Sequence, residues 1–160
     1  MSLARRKFLL DAAAGLVLAG LSSGAARAGM TERVYVDPVS GIAIHGFDPV
    51  AYFIEGKAEA GRAEHEVEWA NATWRFASHG NAAAFLRDPD VYMPAFGGYD
   101  GRSMLRGQPV ASNPSLFSII GQRVVLFRFA EGRDAFLAGG AASMEAAEAK
   151  WLALKPQLAP

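Results

Sequence analysis

The chain has 160 residues, no cysteine, and 16 basic side chains against 16 acidic ones. Without cysteine there are no disulfides, no thiolate-bound metals, no iron–sulfur clusters and no cysteine nucleophile, whatever the fold. The balanced charge offers no basic surface for a phosphate backbone, so a nucleic acid partner is not expected.

Residues 1–28 are predicted to be an export signal. Arg5, Arg6 and Lys7 form a basic start, the apolar stretch FLLDAAAGLVLAGL follows, and small residues before Ala28 suit a signal peptidase. The arginine pair resembles that of a twin-arginine signal, which exports proteins after they fold. A membrane anchor is the alternative, but the apolar run is shorter than the roughly 20 residues that span a bilayer. We therefore expect cleavage after Ala28, a periplasmic location, and no stable membrane span after signal removal.

The remaining chain, residues 29–160, is predicted to be a single domain. Its length suits one hydrophobic core, and it holds 12 basic and 15 acidic residues once the signal is removed. Because disulfides are excluded, the domain must be held together by packing alone. No internal repeat is apparent along it.

The first part of this domain is predicted to contain short strands and a capped helix. Residues 34–36 and 42–44 are predicted to be short edge strands. Asp48 precedes Pro49, a pair typical of a helix start, so a helix is predicted over residues 49–54. The same pair at Asp88 and Pro89 predicts a second short helix.

The segment EVEWANATWRFAS predicts a β-hairpin followed by a helix. Polar and apolar residues alternate along both strands, which directs Trp69 and Trp74 toward one core, and the turn is predicted at Asn71-Ala72. Ser78 is a suitable cap for the helix that follows. The predicted inner face of this helix carries Ala82, Phe85 and Leu86.

A second hairpin and two helices complete the chain. The segment LFSIIGQRVVLFRF predicts two strands around Gly121-Gln122, and because both are apolar at nearly every position they are expected in the middle of the sheet. Helices are predicted over residues 131–137 and 143–154. The last helix carries one apolar stripe, made of Met144, Ala147, Trp151 and Leu154. The predicted fold is α+β, with a small, mostly antiparallel sheet of two hairpins covered by short helices and a C-terminal helix.

Four short motifs follow one another along this domain. They are GFDPVAYF at residues 46–53, TWRFAS at 73–78, DPDVYMPAFGGY at 88–99 and AEAKW at 147–151. In this order they resemble the exported YHS domain proteins of bacteria, and the similarity extends over residues 42–151. The resemblance implies a single YHS-like domain. It implies no defined reaction, because the family is described mainly by its sequence motifs.

The segment FGGYDG departs from the family at one position. In exported relatives the glycine pair and the tyrosine are commonly followed by a cysteine, whereas this chain has Asp100. The thiolate metal sites of related modules are therefore not possible here. Asp100 is interpreted either as a structural replacement, favoured by the dipole of a helix that begins beside it, or as the mark of a different ligand preference.

The candidate ligand-binding residues come from the two glycine-containing motifs and the residues directly next to them. They are His45, Asp48, Tyr52, Gly97, Gly98, Tyr99 and Asp100. No catalytic residue is assigned, and the presence of a metal or another cofactor stays open. The leading hypothesis is a non-catalytic module that binds a small ligand, an ion or another periplasmic protein.

Two alternatives stay open. The first is a metal-dependent or acid–base enzyme that uses His45, Asp48 and Asp100, since carboxylates far apart in sequence can meet in space. The second is a structural accessory protein for another exported factor. The three histidines show no metal-binding spacing, and His65 is expected to be solvated.

Overall fold

The computed structural model describes residues 33–158, so the predicted export signal lies outside the described residues. The described helices and strands form an α+β fold, as predicted. The strands pair into two separate two-stranded antiparallel sheets, however, rather than into one sheet. Each sheet is one of the two predicted hairpins.

The first half of the described chain is built around the first hairpin. A 3-10 turn at Ile44–Gly46 leads to helix α1 (Ala51–Ile54), strands β1 (Arg62–Trp69) and β2 (Ala72–Phe76) form the hairpin, and helix α2 (His79–Arg87) follows. Ser78 caps α2 as predicted, because its side-chain oxygen accepts a hydrogen bond from the backbone amide of Asn81 at 3.1 Å.

The second half is built around the second hairpin. Helix α3 (Pro89–Tyr92) connects the halves, and a 3-10 turn at Ala95–Gly98 leads to helix α4 (Gly101–Met104). Strands β3 (Asn113–Ile120) and β4 (Arg123–Phe127) form the hairpin, and helix α5 (Ala130–Ala138) follows it. Helix α6 (Gly140–Leu154) and a 3-10 turn at Lys155–Gln157 end the described chain.

The two halves repeat one another, although no repeat is apparent in the sequence. In each half a 3-10 turn is followed by a four-residue helix, an eight-residue strand, a five-residue strand and a nine-residue helix. Both hairpins also carry the same irregularity. The register shifts between Arg62 and Glu66 in β1, and between Asn113 and Phe117 in β3.

The repeat extends to the backbone conformation. His45 and Gly46 are left-handed, with φ of 54° and 78°, and the corresponding Gly97 and Gly98 have φ of 62° and 84°. In both halves the next residue forms an isolated bridge to the segment before the hairpin. These bridges join Phe47 to Ala60 and Tyr99 to Ala111. One residue further along the chain, Asp48 therefore corresponds to Asp100.

Two hydrophobic clusters form the interior, and the two halves contribute corresponding aromatic pairs to them. The first cluster contains Phe76 and Phe85, whose ring centroids are 5.3 Å apart. The second contains Phe127 and Phe136, at 5.4 Å. Burial of each such side chain contributes roughly 1.5–3 kcal/mol relative to its exposure.

Strand β4 is buried on both faces because it lies between the two clusters. Val124 and Leu126 pack in the first cluster, whereas Val125 and Phe127 pack in the second. The prediction that this hairpin lies in the middle of one sheet is wrong, since the described strands leave it in a sheet of its own. Core side chains, rather than neighbouring strands, explain its run of apolar residues.

Three local predictions also need correction. Residues 34–36 and 42–44 are not strands and make only isolated bridges. The first hairpin turns at Ala70 and Asn71, one residue earlier than predicted, so that Ala72 begins β2. Leu86 is 51% exposed, although its neighbour Phe85 is buried on the inner face of α2 as predicted.

Helix α6 docks through the predicted apolar stripe. Ala147 and Trp151 are buried in the second cluster, and Met144 and Leu154 pack against it. The helix has 15 residues, and neither it nor any other described helix is long and apolar enough to cross a membrane.

Candidate functional site

Asp48 is fully buried, and both of its carboxylate oxygens hold the fold together. Oδ1 accepts hydrogen bonds from the backbone amides of Val50, at 2.8 Å, and Ala51, at 3.3 Å, at the start of α1. Oδ2 accepts from the Ala77 amide at 2.8 Å and from Asn81 Nδ2 at 2.6 Å. Asp48 thus caps a helix and connects the end of β2 to it. Both carboxylate oxygens are engaged in hydrogen bonds within the fold.

Asp100 has the same role in the second half. Its Oδ2 accepts a hydrogen bond from the backbone amide of Ser103 at 2.8 Å, which caps α4, and its Oδ1 accepts from the Arg128 amide at 2.8 Å, just after β4. Asp100 is 4% exposed, and no basic side chain of the described residues forms an ion pair with it. The structural interpretation of Asp100 therefore fits its geometry.

Tyr52 belongs to the first hydrophobic cluster. Its hydroxyl donates a hydrogen bond to the Pro114 carbonyl oxygen at 2.9 Å, and its ring centroid lies 4.7 Å from that of Phe117. Burial, with a smaller contribution from the negative charge of Asp48, raises the pKa of Tyr52 well above its ordinary value. Since the side chain is fully buried, Tyr52 offers no surface to a ligand.

Gly97 and Gly98 allow the chain to pass close to other backbone and side-chain atoms. A Cβ atom at Gly97 would lie 2.1 Å from the Arg33 carbonyl oxygen, and one at Gly98 would lie 2.6 Å from Ile44 Cγ2. The Gly97 carbonyl accepts a hydrogen bond from the Tyr35 amide at 2.8 Å. Gly97 therefore holds the segment of residues 33–36 against the second half, and Gly98 allows the close approach of Ile44.

His45 and Tyr99, the other two candidate residues, both contact Tyr35. The ring centroid of Tyr35 is 5.2 Å from that of His45 and 5.5 Å from that of Tyr99, the second contact being edge to face. Tyr99 also packs on Trp151 at 6.1 Å. His45 is further held by Asp37, whose Oδ2 lies 3.7 Å from His45 Nδ1.

A cleft of about 420 Å³ opens beside these tyrosines. We call it the tyrosine cleft. Its walls are residues 33–36, the turn of the first hairpin and the loop after α4. The lining residues are Arg33, Val34, Tyr35, Val36, Pro38, Ala70, Asn71, Ala72, Tyr99, Pro109 and Leu158. Of the seven candidate residues, Tyr99 alone lines this cleft.

The tyrosines of the cleft are neutral hydrogen-bond donors at ordinary pH. Burial raises the pKa of both Tyr35 and Tyr99 above its usual value of 10.0. The negative charge of Asp37 adds to the increase at Tyr35, and Tyr35 adds to the increase at Tyr99. Arg33 supplies a positive charge, and its Nε donates to the Leu158 carbonyl oxygen at 3.0 Å across the cleft wall.

Sequence reasoning missed most of this cleft, because its walls come from several separate parts of the chain. Tyr35 was assigned only to a short strand, and Arg33 to no element. The available signal is the alternation of Tyr35 with Val34 and Val36, which places its ring on the opposite side of an extended segment. Nothing in that alternation indicates that Tyr99, 64 residues later in the sequence, lies beside it.

The histidines do not assemble a metal centre with the acidic residues. Among residues 33–158, no group of three or more histidine and carboxylate side chains is placed to hold a metal ion. His65, which was expected to be solvated, is only partly exposed. It lies half-buried on β1, its ring centroid is 4.2 Å from that of His79, and its Nδ1 is buried without a hydrogen-bond partner.

No protein-family model, no curated protein and no solved structure matches this chain. The resemblance to YHS domain proteins therefore depends on the four sequence motifs. What the protein binds is inferred below from the geometry of the tyrosine cleft.

Proposed function

We propose that the protein is an exported, periplasmic binding protein of the YHS type, which holds a small planar or aromatic ligand in the tyrosine cleft without catalysing a reaction. One observation carries this proposal. Tyr35 and Tyr99 meet edge to face on the wall of a cleft of about 420 Å³. Small-ligand sites typically have volumes of roughly 300–1,000 Å³ and combine aromatic walls with a few polar groups.

The lining of the cleft indicates the chemical class of the ligand. Pro38 and Pro109 give apolar walls, and the tyrosine rings offer faces and edges to a flat ring. The two neutral hydroxyls and the Arg33 guanidinium favour a ligand that carries a hydrogen-bond acceptor or a negative charge. A ring bearing a carboxylate or sulfonate group meets both requirements.

The positions of the acidic residues favour binding over acid–base chemistry. Asp48 and Asp100 share no hydrogen-bond partner, and each accepts hydrogen bonds from backbone amides of its own half. Neither residue lines the tyrosine cleft. A general acid or base must reach the substrate, so the enzyme hypothesis would have to use other residues.

Anilinonaphthalene sulfonate is a suitable probe, because it combines flat rings with an anionic group. We expect the mature protein to bind one molecule of it, and Tyr35→Ala and Tyr99→Ala to weaken binding by at least about tenfold. Tyr99→Phe removes only the hydroxyl and should weaken binding less than Tyr99→Ala. It tests the role of Tyr99 with a smaller risk of disturbing the fold. Tyr92→Ala is the matched control, since Tyr92 packs on Phe53 and does not line the cleft.

Equal binding by the wild-type protein and by folded Tyr35 and Tyr99 variants would overturn the proposal. Native mass spectrometry of the untagged protein, purified from the periplasm, then distinguishes the alternatives. A small organic molecule that is lost from the tyrosine variants supports the cleft. Stoichiometric metal without such a molecule would favour the metal-dependent alternative, and a co-purifying protein would favour the accessory role.

A further inference from the structure

Arg123 carries a buried donor that the fold does not satisfy. The residue begins β4, its Nε is buried without a hydrogen-bond acceptor, and its guanidinium forms no ion pair with a described residue. An unpaired buried N–H of a charged group is costly, and native structures rarely retain one without a reason. This Nε is itself out of reach of a ligand, so an acceptor from outside the fold can contact the guanidinium only through its terminal Nη groups.

A second cavity, of about 280 Å³, lies beside this guanidinium. We call it the arginine cavity. Helix α3, the glycine turn at Ala95–Gly98 and helix α6 enclose it together with Arg123. Its apolar wall includes Met93, Trp151 and Leu152, and the first two of these are buried.

The charges around the arginine cavity are mixed. Arg123 and Lys155 supply positive charge, whereas Asp90 and Glu148 supply negative charge. Neither acid lies within ion-pair distance of Arg123 or forms any other ion pair with a described residue. A simple anion would be attracted by Arg123 but repelled by Asp90 and Glu148. A simple cation would be attracted by the two acids but repelled by Arg123.

We propose that the arginine cavity binds a small zwitterion of the α-amino acid class with an apolar side chain. The ligand carboxylate accepts hydrogen bonds from the Arg123 guanidinium, whose planar fork matches a carboxylate. The ligand ammonium group lies toward Asp90 and Glu148, and its side chain lies against Trp151. This site is separate from the tyrosine cleft and does not depend on the function proposed there.

The repeat relates two positions of the arginine cavity to two positions of the tyrosine cleft. Ala72 and Arg123 hold corresponding positions, each being the first residue of the second hairpin strand. Pro38 and Asp90 also correspond, since the turns that contain them are closed by equivalent hydrogen bonds, Gly41 N to Asp37 O and Met93 N to Pro89 O. Ala72 and Pro38 line the tyrosine cleft. These two positions are thus shared by the linings of the two cavities, and only in the arginine cavity do both carry charged residues.

Isothermal titration calorimetry of the mature protein tests the proposal with three related probes. L-Leucine carries both charges, isoamylamine lacks its carboxylate, and isocaproate lacks its ammonium group. We expect binding of L-leucine, and at least about tenfold weaker binding of each analogue, because each leaves one set of cavity charges unpaired. L-Methionine and L-phenylalanine test whether the apolar wall accepts other side chains.

Three substitutions and one control assign the binding to the cavity. Arg123→Gln and Glu148→Gln should each weaken L-leucine binding by at least about tenfold. Arg123→Lys keeps the positive charge but lacks the planar fork. Its affinity for L-leucine should lie between that of the two glutamine variants and that of the wild type. Arg133→Gln is the control, because Arg133 pairs with Asp134 and does not line the cavity. Circular dichroism and chemical unfolding show whether each variant folds.

Failure of the three amino acids to bind would overturn the proposal, as would equal L-leucine binding by a folded Arg123→Gln variant. Equal binding of isocaproate and L-leucine would also overturn it, since the site would then recognise a carboxylate alone. Tyr35→Ala should leave L-leucine binding unchanged, since Tyr35 has no ring contact with Trp151, and Arg123→Gln should leave binding of anilinonaphthalene sulfonate unchanged. The two proposals can therefore fail separately.

Discussion

Asp48 and Asp100 are counterparts in the two halves of the fold. Each caps a four-residue helix with one carboxylate oxygen, and with the other accepts the backbone amide of the residue that follows a hairpin, Ala77 or Arg128. Asp100, which follows the glycine pair and the tyrosine, is thus the second copy of a structural aspartate. This correspondence explains Asp100 without a ligand.

Removing either carboxylate should destabilise the fold. Loss of a helix cap costs about 0.5–2 kcal/mol, and an amide left without its acceptor costs about 1–3 kcal/mol more if it stays buried. We expect Asp100→Ala to lower the free energy of unfolding by about 2 kcal/mol, and Asp48→Ala by more, since Asp48 accepts four hydrogen bonds. Urea unfolding measures both changes.

Asp88→Ala is the matched control for this pair. Asp88 also precedes a four-residue helix, but its side chain makes no capping hydrogen bond. Its replacement should change the free energy of unfolding by less than about 0.5 kcal/mol. If Asp100→Ala were as mild as this control and instead abolished ligand binding, Asp100 would be a binding residue and the correspondence with Asp48 would be misleading.

The sequence predicted the role of Asp48 but left that of Asp100 open, for a local reason. Asp48 precedes Pro49, a recognisable helix start, whereas Asp100 precedes Gly101, which carries no such signal. The second partner of Asp100 is an amide 28 residues away, which only the folded chain brings into reach. Three features were predictable from the sequence: the two hairpins, the Ser78 cap and the stripe on α6. The residues that indicate each of them lie close together along the chain.

The repeat could not be predicted because the core accepts different residues at equivalent positions. Trp74 and Tyr52 of the first half correspond to Val125 and Met104 of the second, and all four are fully buried. A core tolerates apolar side chains of different size as long as it stays well packed, so packing does not preserve sequence identity. The geometry of Asp48 and Asp100 persists because a specific hydrogen-bond pattern tolerates fewer replacements than apolar packing does.

The two hairpin turns allow a direct test of backbone strain. Ala70 has φ of 53° and Gly121, at the corresponding turn position, has φ of 62°. A left-handed conformation is costly for alanine but not for glycine. We expect Ala70→Gly to raise the free energy of unfolding by about 0.5–1 kcal/mol, and Gly121→Ala to lower it by a similar amount.

Gly121 is a suitable partner for this test because a Cβ atom added there would meet no atom within 4 Å. The change therefore reports the conformation of the backbone and not a clash. Thermal unfolding of both variants, measured side by side, should give shifts of opposite sign. Shifts of the same sign would mean that contacts of Ala70 in the wall of the tyrosine cleft matter more than its φ angle.

Tyr52 should make the fold sensitive to alkaline pH. Its pKa in the folded protein is raised above that in the unfolded chain, mainly by burial. Its contribution to stability is thus complete below about pH 10 and is lost as the pH rises toward the folded-state pKa. We expect the free energy of unfolding to fall by up to about 1.4 kcal/mol per pH unit in that range from Tyr52 alone.

Tyr52→Phe should remove that part of the pH dependence. At neutral pH the variant should be less stable by about 1 kcal/mol, because the Pro114 carbonyl loses its hydrogen bond. Tyr92→Phe is the control, since the Tyr92 hydroxyl donates no hydrogen bond within the described part of the chain. Urea unfolding at about pH 8 and at about pH 11 measures the effect. An unchanged pH dependence in Tyr52→Phe would show that other groups cause it.

Gly97 should be the least replaceable residue of the FGGYDG segment, because two costs coincide there. Its φ is 62°, and an added Cβ atom would lie 2.1 Å from the Arg33 carbonyl oxygen, which is backbone and cannot rotate away. Gly41→Ala is the matched control, since Gly41 has φ of 71° but open space around it. Gly41→Ala should cost about 1 kcal/mol, whereas Gly97→Ala should cost at least about 3 kcal/mol or displace residues 33–36 from the second half.

Displacement of residues 33–36 would also open the tyrosine cleft and weaken binding of anilinonaphthalene sulfonate. Equal costs in urea unfolding for the two variants would mean that the close approach of Arg33 to Gly97 does not contribute to the stability of the fold.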